Sequence, residues 1–137
     1  MRKHPEIHLV QNPDYRSTST LYSLDLAFRS AEPRTDEPFF ISSGACVYDD
    51  AVIERVSCVS GSAIAVDSSC YEAVSTKVIA EDGNVVSIGT HIPKNAATAV
   101  VTGLCKLDAH AVTALSDIAA ERTAEKRTRR WPQHLAI

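Results

Sequence analysis

A chain of 137 residues, 45% hydrophobic and 23% charged with a net charge of −3, has the size and balance of one folded domain rather than of a disordered polymer. No apolar run approaches the roughly 20 residues that span a bilayer, and Glu6 and His8 interrupt the apolar segment that a secretion signal needs. The expectation is a cytoplasmic protein without membrane contact. Charge is unevenly spread: residues 30 to 83 hold ten acidic side chains against Arg34, Arg55 and Lys77, whereas 126 to 130 hold four cations in five positions. Such asymmetry speaks to partners and not to fold.

In chain order, Ile7 to Val10 reads as a short edge strand closed by the turn signal Asn12-Pro13-Asp14. From Ser17 to Arg29, Tyr22, Leu24, Leu26 and Phe28 alternate with Ser23, Asp25, Ala27 and Arg29, the period of a strand with one apolar face. Pro33 and Pro38 bound a charged loop. Phe39 to Tyr48 reads as a strand, with Gly44 as a bulge. Ala51 to Val59 fits either a strand or a short helix capped by Asp49 or Asp50 and stopped at Gly61. Ala63 to Val66 is a small buried strand. Ser69-Cys70-Tyr71-Glu72 has capping-box spacing, yet the β-branched run Val74 to Ile79 and the turn Asp82-Gly83-Asn84 favour strand; we read strand.

Val85 to Ile92 is the next strand, ended by Pro93. Ala96 to Leu107 fits helix or strand, and Val100, Val101 and Thr102 favour strand. Asp108 then caps a long helix with Val112, Leu115, Ile118 and Ala119 as its buried stripe and Thr113, Asp117 and Glu121 outside. The predicted fold is a single α+β domain over 1–137. It has a meander-like antiparallel sheet, a long C-terminal α-helix packed on one face, and a basic, protruding segment over 120–137.

Chemical motifs are sparse. Cys46, Cys58, Cys70 and Cys105 lack the close pairs of zinc or redox sites and read as reduced, buried small hydrophobes. If a helix started at Ser69, its N-terminal amides and dipole would activate Cys70 as a nucleophile, with His91 or His110 as base. That makes a small cysteine enzyme one alternative. His4, His8, His91, His110 and His134 have no metal-ligand spacing, and the isolated glycines form no phosphate loop. The expectation is neither metal nor cofactor.

The C-terminus is more informative. Residues 120 to 130 carry no large apolar side chain, then Trp131 stands alone as the chain's one tryptophan. The ordinary reading is a solvated helix end whose cations face the negative end of the dipole. The functional reading is a contact patch of Lys126, Arg127, Arg129, Arg130 and Trp131, because tryptophan and arginine dominate interface hot spots. The expected function is a non-enzymatic protein-interaction module, a component or inhibitor of a larger complex of the kind that phage and mobile elements encode. Its partner is another protein or a second copy. Nucleic-acid binding through the same cations is the other alternative.

Overall fold

The computed structural model describes residues 7–31, 37–69 and 75–130, the side chains of 31 and 125–130 aside. The elements in order are α1 (Thr20–Ala31), β1 (Phe39–Ser42), α2 (Asp50–Cys58), β2 (Ala63–Asp67), β3 (Lys77–Glu81), β4 (Asn84–Gly89), β5 (Ala99–Leu107) and α3 (Ala109–Arg130). They fall into two units, Met1–Glu37 with Ala109–Ile137, and Pro38–Asp108. The antiparallel sheet and long C-terminal helix expected of an α+β chain are both present.

In the first unit, α1 pairs with α3. Ser17 to Arg29 is therefore not a strand but mostly helix. Its apolar residues also fit a helical stripe, since Leu21, Leu24 and Phe28 stand three and four residues apart; Phe28 is buried, and so is the polar Asp25. Two periods coincide over so short a segment, and a helix partner decided between them. The turn before it forms as expected: the Asp14 amide donates to Asn12 Oδ1 at 3.0 Å, and Asn12 Nδ2 donates to Thr18 Oγ1 and Ser23 Oγ. Buried Asp25 accepts from Arg29 Nε at 2.9 Å, one helical turn on. On α3, Val112, Ala119 and Thr123 are buried and Leu115 is half-buried, but Ile118 is 50% exposed. The buried face thus runs 112, 119, 123 through small side chains, and Ile118 falls outside it. The expected edge strand at Ile7 to Val10 is absent. That segment is irregular, with Ile7 and Leu9 exposed.

In the second unit β5 is the hub. β2 pairs with it from Ala63↔Lys106 to Asp67↔Val100, β1 from Phe39↔Leu107 to Ser42↔Leu104, and β3 through Lys77↔Val100 and Val78↔Ala99. β4 pairs with β3, so the order is more interleaved than a plain meander. Asp82 (φ 49°) and Gly83 (φ 79°) make the two-residue turn between β3 and β4 with both residues left-handed, as the type I′ hairpin requires. Val78, Ala99, Val100 and Leu104 form the buried strand core with Val56 of α2. β1 stops at Ser42, short of the expected Tyr48, because a turn follows at Gly44. Likewise β4 stops at Gly89, short of the expected Ile92.

The open alternative at residues 51 to 59 resolves as helix. Asp49 Oδ1 accepts the Ala51 amide at 2.9 Å as N-cap. At the other end, Lys106 Nζ on β5 donates to the carbonyls of Ser57 and Val59. An ammonium there satisfies orphan carbonyls and opposes the negative end of the dipole.

Candidate interaction surface

β4 is the strand that pairs on one edge with β3, and its sequence, Asn-Val-Val-Ser-Ile-Gly, carries no charge. Val85, Val86 and Ile88 are 44, 55 and 50% exposed. Natural edge strands are usually blunted by lysine, proline or inward charges. Here the one such device is a bulge, where Ile79↔Ser87 is followed by Ala80↔Val85 and leaves Val86 over. The two ends of the hairpin differ, the charged side chains being exposed at the turn and Lys77 buried at the other end. Glu81 and Asp82 are exposed at the turn. At the other end Lys77 Nζ donates to the carbonyls of Ser75 (3.1 Å) and Thr90 (3.4 Å), and the His91 ring lies against Gly89, where a Cβ would come within 2.4 Å of it.

More apolar surface continues elsewhere. Val52, Ile53 and Val59 on and after α2 are exposed, as are Val47, Phe40 and Val66. Among the described residues nine apolar side chains are buried, and of these only Val78 and Val112 are large and fully enclosed.

No protein-family model and no curated protein matches this chain. The site therefore rests on its own geometry.

Among the residues singled out from sequence, α3 carries its helical backbone through Lys126, Arg127, Arg129 and Arg130. At 100° per residue those positions span a little under half the helix circumference. Trp131 lies outside the described residues, as does Cys70 with the capping-box segment after it. Ser69, the proposed cap, is engaged elsewhere: its amide and hydroxyl donate to Asp67 Oδ1 at 2.7 and 2.6 Å. Those bonds hold the Asp67 carboxyl below its ordinary pKa. His91 and His110 are both exposed and lie in different units. Among the described residues no group of three His, Cys, Asp or Glu could hold a metal ion, and no helix is long and apolar enough to cross a membrane.

The described thiols do not behave alike. Cys46 and Cys58 are exposed, against the expectation that all four cysteines are buried; Cys105 is half-buried, and burial pushes its pKa up. Cys46 sits in a polar cluster that sequence reasoning missed. Between Ile64↔Cys105 and Val66↔Val101, β2 takes two steps while β5 takes four, and the surplus contains Gly103 at φ +93°. The Thr102 carbonyl accepts from Tyr48 OH at 3.0 Å and from Cys46 Sγ at 3.6 Å, while the Ser43 amide donates to Gly103 O at 2.9 Å. Desolvation first, then the hydrogen bond with Cys46, raises the Tyr48 pKa, so the phenol keeps the proton it donates. This cluster pins the loop after β1 to the bulge.

Proposed function

We propose that the chain is a non-enzymatic protein-interaction module, a component or inhibitor of an assembly whose partner covers apolar surface that the chain leaves open. The observation that supports this reading is the balance of burial. Fourteen large apolar side chains are exposed among the described residues, against nine buried apolar ones. Single exposed apolar residues are ordinary, but a contiguous row along an uncharged strand marks a contact site. The expected partner is another protein or a second copy.

The test is the solution mass of the intact chain by light scattering, with binding of an apolar dye measured on the same samples. An oligomer, or a monomer that binds dye and releases it when a partner is added, supports the reading. A monomer that binds no dye refutes it.

A second reading draws on the helical backbone that runs unbroken to Arg130. It would present Lys126, Arg127, Arg129 and Arg130 to nucleic-acid phosphates. Affinity for a DNA or RNA duplex should then fall steeply with salt, and a flat salt dependence excludes it.

A further inference from the structure

We draw no further inference here: the strongest candidate, the exposed apolar patch of Val85, Val86 and Ile88 on β4 of the β3–β4 hairpin, carries nothing because nothing in the structure shows what covers it.

Discussion

Replacing Gly103 with alanine tests the β2/β5 irregularity on which the second unit turns. Gly103 sits at φ +93°, where an L side chain is strained by about 1–2 kcal/mol. A Cβ there would also lie 2.8 Å from Ser43 Cβ and 3.2 Å from Tyr48 OH. The first of these neighbours is no flexible tip, so the end of β1 must move. Forced shifts of this kind cost about 1–3 kcal/mol, and the hydrogen bonds from Ser43 and Tyr48 are stretched with them. The sum is a loss of about 3 kcal/mol, read from urea unfolding followed by circular dichroism at one fixed protein concentration. Two further glycines calibrate the result. Gly83→Ala meets no atom within 4 Å but sits at φ +79°, so it should lose only the backbone strain, about 1–2 kcal/mol. Gly44→Ala has open space and no positive φ, and should be neutral or stabilising by up to about 1 kcal/mol through the unfolded chain. A Gly103→Ala variant within about 0.5 kcal/mol of wild type, or a Gly44→Ala variant equally damaged, would falsify the reasoning.

Asp49→Ala removes the N-cap of α2 and should cost about 1 kcal/mol in the same unfolding assay, with Asp49→Ser recovering most of it. Lys106→Met keeps the length of the side chain but leaves the Ser57 and Val59 carbonyls without their donor. A loss of about 1–3 kcal/mol is expected, with faster amide exchange concentrated in α2; a uniform change across the unit would point to packing instead. The Asp67 carboxyl, held low by Ser69, is a depressed acid. It contributes stability above the ordinary aspartate pKa, and that contribution is lost as pH falls through the lower, folded value. Ser69→Ala should shift its carbon-detected titration upward, and an unmoved midpoint removes Ser69 as the cause. Cys105, whose thiol burial pushes up, should react with a thiol reagent at pH 8 more slowly than exposed Cys46 and Cys58. Equal rates, read by mass spectrometry of the labelled peptides, would contradict that.

Sequence by itself determined the features that local chemistry specifies. Asp82-Gly83-Asn84 favoured a hairpin turn over a helix end, because two consecutive positive φ angles select such residues. Asp108 before the long C-terminal stretch marked where that helix begins, while Asp49 offered a cap for a segment that stayed open between strand and helix. The β-branched run at Val100 to Thr102 named the strand that became the hub of the sheet. Tertiary structure decided the rest. Ser17 to Arg29 satisfies periods of two and of 3.6 together, and its helix exists because α3 offers a face of small residues at Val112, Ala119 and Thr123. The stripe on α3 was misjudged at Ile118 for a related reason: a helix buries whichever arc its neighbour covers, not whichever arc is most apolar. β4 could be read as a strand from its sequence, but not as an edge, since that depends on β3 taking β5 on its other side. An edge is a property of pairing order, set by long-range contacts between residues far apart in the chain, and no local pattern carries it.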